Sequence, residues 1–232
     1  MMIHRIESRS SQLLGYLVHI MKNGGGRIPP LTELSSELGV SVASLREQLE
    51  LARRLGYVEV HPRKGIRVLP YSFTPAVKQS LSYAVAINAE NFEKYANLRN
   101  HIEKAYWFEA ASLLLPEDHE RLRALIVRAE EKLHTRPIQI PHQEHRELHL
   151  SIYSRLGNPF VIGLLEAYWD IYEIVGLNLY ADLSYLQSVW QSHRKMVECI
   201  CTGDFEAGYS VFMTHTNLLS KRPVNGANQK FE

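Results

Sequence analysis

Apolar residues recur at helical spacing from the first segment onward. Leu13, Leu14, Leu17, Val18 and Met21 predict an amphipathic helix over Ser10 to Lys22, stopped by Gly24-Gly25-Gly26. After Pro29-Pro30 a short helix is expected from about Thr32 to Leu38, ending at Gly39. Ser41 is a good N-cap for a third helix, which places Leu45, Leu49, Ala52 and Leu55 on one face and stops at Gly56. The alternation then changes period. Tyr57 to Val60 and Ile66 to Leu69 read as two short strands around a turn from His61 to Gly65. Helix, helix, turn, helix and hairpin is the order of a winged helix-turn-helix, assigned to residues 1–70.

Pro70 and Pro75 bracket an expected linker, 71–75. From Ala76 to Leu219 the pattern is helical throughout. Stops are expected at Pro116, from Thr135 to Pro141, at Gly157-Asn158-Pro159, near Ala181 to Ser184, and at Gly203-Asp204. That makes about six helices in an all-helical bundle domain, 76–220. The polar tail 221–232 is expected to be disordered. The fold class predicted is therefore mainly α, a winged helix-turn-helix followed by a helical bundle.

Composition narrows the class. The chain has 232 residues, of which 45% are hydrophobic and 22% charged, so neither a disordered nor a collagen-like chain is indicated. No apolar run reaches the ~18 residues of a membrane span, and the first residues lack a secretory apolar stretch, so a cytoplasmic protein with no membrane partner is expected. Cys199 and Cys201 are two apart in a helical pattern, and point to nearly opposite faces, which prevents a bridge between them. The formal charge of +1 conceals an asymmetry: 1–70 has 10 Lys and Arg against 6 Asp and Glu, whereas 71–232 has 16 against 19. The basic first part suits a polyanion.

In a helix-turn-helix the second helix enters the major groove, so its leading outward positions must be small or polar. Ser41, Ala43, Ser44, Arg46, Glu47, Arg53 and Arg54 satisfy this, and Arg63 and Lys64 at the hairpin tip can reach phosphates. A solvated helix face with a basic turn is the alternative for any one of them. The stretch from Leu31 to Val68 resembles the DNA-binding domain of GntR-family bacterial transcription regulators, through Leu38-Gly39-Val40-Ser41, Leu45-Arg46-Glu47-x-Leu49, Leu55-Gly56 and Gly65. The resemblance implies a homodimer on double-stranded operator DNA, with Ser41, Ala43, Ser44, Arg46, Arg63 and Lys64 at the DNA face. Val42 stands where many members have Arg.

Four of the eleven histidines have an interpretable geometry. His145 and His149 are i and i+4 on one helix, so they share a face. His193 and His215 lie ten residues before Gly203 and eleven after Asp204. At 1.5 Å per residue both sit about 15 Å from that turn, level across an antiparallel pair. Four imidazoles on three helices could thus converge inside the bundle, where bundles build metal sites. The alternative is that they are hydrogen-bonded core or surface histidines.

The second half resembles the FCD ligand-binding domain of the FadR subfamily of GntR regulators. Its marks are Leu98-Arg99-x-x-x-Glu103, Leu148-His149 before Gly157-Asn158-Pro159, Ser192-His193, Gly203-Asp204 and Met213-x-His215. The resemblance implies metal ligands at His149, His193 and His215, with His145 at the position of a usual Asp, and a small carboxylate effector held at the metal. An all-nitrogen set suits zinc, with nickel the next choice. Arg99 is the candidate to orient the carboxylate, or else an i,i+4 ion-pair partner of Glu103. Tyr168, Trp169, Tyr172 and Tyr180 could line a pocket or fill core. The leading function is a non-enzymatic, effector-controlled transcription regulator. A metal-dependent hydrolase using Glu144 or Glu147, and a DNA-binding protein whose helical domain only dimerises, are the alternatives.

Overall fold

The computed structural model describes residues 11–175 and 183–220. Two compact units divide the chain, Met1–Tyr83 and Ala84–Glu232. The first contains α1 (Gln12–Lys22), β1 (Arg27–Ile28), α2 (Leu31–Leu38), α3 (Val42–Arg54), β2 (Val58–His61) and β3 (Gly65–Val68). The Ser11 hydroxyl accepts from the Leu14 amide and the Ser41 hydroxyl from the Ser44 amide, satisfying amides that a helix start otherwise leaves open. Gly39 closes α2 in the left-handed conformation at φ 64°, where a side chain would be strained.

The strands form an antiparallel sheet in the order β1-β3-β2, with Ile28 opposite Ile66 and Val58 opposite Val68. Strand β1 was not anticipated. Two residues carry no periodicity to read, and β1 exists because the free edge of β3 accepts it and Ile28 fills the core. Leu13, Leu17, Leu34, Leu45, Ala52, Val58, Ile66 and Val68 complete that core.

The boundary between the units falls inside α4 (Thr74–Ile87), so helix begins within the stretch expected to be linker. The second unit continues with α5 (Glu90–Ser112), α6 (Pro116–His134), α7 (His142–Tyr153), a 3-10 turn at Ser154–Leu156, α8 (Pro159–Ile174), α9 (Leu183–Thr202) and α10 (Phe205–Ser220). Seven described helices follow Thr74 rather than about six. The additional break lies at Asn88-Ala89 and is made by side-chain amides. Asn88 Oδ1 accepts from the Glu90 amide at 2.9 Å, and Asn91 Nδ2 donates to the Ala84 carbonyl at 2.8 Å, so one helix end and the next start are capped together. The expected stops at Pro116, Thr135 to Pro141, Gly157 to Pro159 and Gly203-Asp204 all coincide with helix breaks. Half of the Ala181 to Ser184 stop, and the 221–232 tail, lie outside the described residues.

A core of Trp107, Leu122, Leu125, Ile126, Leu148, Ile152, Leu165, Trp190, Met196, Ile200 and Phe212 binds these helices together. The α9–α10 hairpin turns at Gly203, φ 79°, and Asp204 Oδ1 accepts from the Ala207 amide at 3.0 Å. Close packing of α10 on α5 needs a small residue at Gly208, where an added Cβ would meet Trp107 at 3.0 Å.

Candidate metal centre and nucleic-acid face

In the first unit, α3 turns Leu45 and Ala52 inward and leaves Ser41, Ala43, Arg46 and Glu47 exposed. Ser44 is half-buried. Its hydroxyl accepts from Gln48 Nε2 at 3.2 Å, and Gln48 Oε1 accepts from the Leu13 amide, so Ser44 helps fix α1 against α3. Arg63 and Lys64 are exposed at the hairpin tip, Arg63 with φ 64°. Arg53 and Arg54 are not free cations: both bond Glu50, Arg53 through two nitrogens at 2.8 Å and Arg54 at 2.9 Å. These bonds hold the Glu50 carboxyl down at about 2. The i,i+3 and i,i+4 spacing was the sequence signal for this clamp.

In the second unit the apolar stripes of three helices each contain histidine. Helix α9 buries Leu186, Val189, Trp190, His193, Met196, Val197 and Ile200, a 3.6-residue repeat with His193 at its centre. Helix α7 buries His145, Leu148, His149 and Ile152, and α10 buries Phe212 and His215. The rings converge. His149 Nε2 lies 3.3 Å from His193 Nε2, which lies 3.0 Å from His215 Nε2. The His145 ring centroid is 4.7 Å from that of His193, and one ligand nitrogen from each of the four can be chosen with all within 4.8 Å of one another.

Nitrogens bound to one tetrahedral zinc at ~2.0–2.1 Å are about 3.3 Å apart, so the spacing suits a metal ion. Burial lowers all four imidazoles below the ordinary histidine range, His215 to about 3. They are therefore neutral and offer lone pairs at neutral pH. His145 Nε2 is buried with no hydrogen-bond partner, as are His193 Nδ1 and His215 Nδ1.

Arg99 and Glu103 enter the same cluster from α5. Both occupy its buried stripe, in line with Phe92, Trp107 and Ala110, and are essentially fully covered. The expected ion pair is present, Arg99 Nε to Glu103 Oε2 at 2.9 Å, though not in the alignment of a hydrogen bond. Arg99 Nη2 donates to His149 Nδ1 at 2.7 Å, and Glu103 Oε1 stands 3.2 Å from the same nitrogen. The guanidinium lies over Tyr168 and Trp169, 4.9 and 5.2 Å from their ring centroids. Burial pushes the Glu103 carboxyl up to about 7, against the opposing pull of Arg99. Tyr168, Trp169 and Tyr172 wall the cluster, Trp169 edge-on to His145 at 4.7 Å. Tyr180 lies outside the described residues.

With both units described, comparison with known proteins is decisive. Residues 95–218, over half of the chain, match the FCD domain, and residues 23–68 match the bacterial regulatory proteins of the gntR family. The chain belongs to the GntR family of regulators that carry an FCD domain. The GntR family is one of bacterial regulatory proteins, and both of the matched domains fall within the units described above. It is 33% identical over 70 residues to NedR of Micromonospora viridifaciens, assigned as a transcriptional regulatory protein; the match spans 30% of this chain and 51% of that one. Among solved structures, GntR of Streptococcus agalactiae aligns at TM-score 0.69 and 16% identity, over 90% of this chain and 96% of that one. McbR/YncC of E. coli aligns at 0.49 and 17%, over 91% and 96%.

The structure brings His145, His149, His193, His215 and Arg99 to one point. It leaves Ser41, Ala43, Arg46, Arg63 and Lys64 at the surface of the winged unit. Sequence reasoning missed the approach of Glu103 to His149. Its signal was two opposite charges at core positions of the α5 stripe, which a helix buries only in company.

Proposed function

We propose that the FCD domain of this regulator holds a divalent transition metal, zinc before nickel, on His149, His193 and His215 with His145 as fourth ligand. A small carboxylate metabolite binds at the metal and at Arg99. Its binding alters how the two winged domains of a homodimer present Ser41, Ala43, Ser44, Arg46, Arg63 and Lys64 to double-stranded operator DNA. The working place is the cytoplasm, on chromosomal DNA. Among the described residues no helix is long and apolar enough to cross a membrane.

One observation carries this reading: three buried Nε2 atoms at 3.3 and 3.0 Å with a fourth imidazole against them. The nitrogen-only set favours zinc, nickel or copper over magnesium or manganese. It also leaves the ion's charge uncompensated by a ligating carboxylate, which attracts an anion.

The hydrolase alternative lacks a free base among the two carboxylates considered. Glu144 is engaged by Lys132 at 2.7 Å, and Glu147 accepts from Gln143 at 2.8 Å and faces Arg128. The test is metal analysis of the purified chain, followed by gel shifts on the DNA upstream of its own gene with and without carboxylates. Metal-free protein that binds no added zinc or nickel overturns the metal part. Operator affinity that no carboxylate changes overturns the effector part.

A further inference from the structure

Hydrogen positions around His149 are constrained by its neighbours. Guanidinium groups only donate, so Arg99 Nη2 at 2.7 Å requires a lone pair on His149 Nδ1. A neutral imidazole carries one N–H, which then stands on Nε2 and points at His193 Nε2, 3.3 Å away. His193 Nε2 has one lone pair, which this N–H shares with that of His215 Nε2 at 3.0 Å, so the proton assignment is consistent for all three rings. Ligation reverses the requirement. A metal takes the lone pair of Nε2, so the ring proton must stand on Nδ1. There it can only be donated to Glu103 Oε1, 3.2 Å away, and Arg99 loses its acceptor.

We infer that His149 is a tautomeric relay between the metal position and the anion position, in which ligation at Nε2 passes His149 from Arg99 to Glu103 and frees Arg99 Nη2 for a carboxylate. The number of bound protons does not change; one N–H bond on Nε2 is exchanged for one on Nδ1. The inference rests on the metal reading above and adds a residue to it. Glu103 is a positioning residue with two tasks, accepting from His149 in the loaded site and anchoring Arg99 through Oε2 at 2.9 Å in both states. Tyr168 and Trp169 keep the guanidinium in place as its Nη2 is released. A buried donor without an acceptor is unfavourable until a carboxylate takes it, so metal and anion each raise the other's affinity by the same factor.

The test is long-range 1H–15N correlation of the histidine rings in the full chain, stripped with a chelator, before and after Zn2+ is added. At about pH 8 the free imidazoles are neutral. His149→Gln assigns the signals. The expected result is His149 protonated on Nε2 without zinc and on Nδ1 with it. A His149 already protonated on Nδ1 without zinc, or unchanged when zinc binds, overturns the relay alone. Wild-type chain that binds no zinc overturns the metal reading and the relay with it. Glu103→Gln should weaken zinc by about 10–100-fold, as loss of a carboxylate behind a metal-bound imidazole does. Unchanged zinc affinity in that variant overturns the role given to Glu103.

Discussion

His193 and His215 stand 22 residues apart in the chain and 3.0 Å apart between their Nε2 atoms. They meet because α9 and α10 run antiparallel from Gly203-Asp204 and each histidine replaces an apolar residue in its helix's inward stripe. Replacing either of them, or His149, with Ala should weaken zinc by more than the ~10–100-fold that an outer hydrogen-bond partner contributes. His145→Ala should weaken it less, as its ring centroid lies 6.2 Å from that of His215, against 4.2 Å for His193. Titration with a competing zinc indicator measures both. Equal affinity in all four variants and wild type would remove the cluster as the metal site.

Arg99 and Glu103 are a buried ion pair, and losing one member leaves the other's charge uncompensated. Arg99→Ala should therefore destabilise the chain by about 3–5 kcal/mol, while Arg99→Met with Glu103→Leu should recover most of that. Urea denaturation of the two variants and wild type tests it. A double variant no more stable than the single one would show that the pair is not the source of the loss.

Arg46 is exposed on the leading part of α3, so Arg46→Ala should lower operator affinity by about 1–3 kcal/mol without loss of fold. Glu50 acts in the opposite sense. Glu50→Gln releases Arg53 and Arg54, and should raise affinity for non-operator DNA and steepen its salt dependence by up to about two units. Fluorescence anisotropy over a salt series measures both. An unchanged slope would mean that neither arginine reaches phosphate.

Asp118 caps α6 by accepting from the Leu115 amide at 2.9 Å and pairs with Arg155, which holds its carboxyl below the usual range. A carboxylate depressed in the folded state stabilises above its unfolded value of about 3.9, and that contribution is lost as pH falls through the lower folded value. Thermal unfolding between neutral and strongly acid pH should therefore show a smaller fall for Asp118→Asn than for wild type. Parallel curves would exclude this pair from the acid response.

The sequence was most legible where a local rule acts. Ser41, Gly39, Gly56 and Gly203 mark helix ends through capping and positive φ, and those ends fall as expected. Rise per residue alone set His193 and His215 level across their turn. The break at Asn88-Ala89 was harder, because two asparagine side chains make it without Gly or Pro. Strand β1 was harder still, since its partner is forty residues away.

By itself the sequence determined the two kinds of unit, the inward stripes, the shared face of His145 and His149 and the level placement of His193 and His215, because periodicity and capping are properties of neighbouring residues. Only the tertiary structure decided that Arg99 is both an ion-pair partner and a donor to the histidine cluster. It also decided that Ser44 holds Gln48, which accepts from α1, and that His145 turns inward beside Trp169 rather than away. Those outcomes depend on which side chains from separate helices share a water-free volume. There, charge and hydrogen-bond capacity must be matched by whatever the fold brings within ~3 Å.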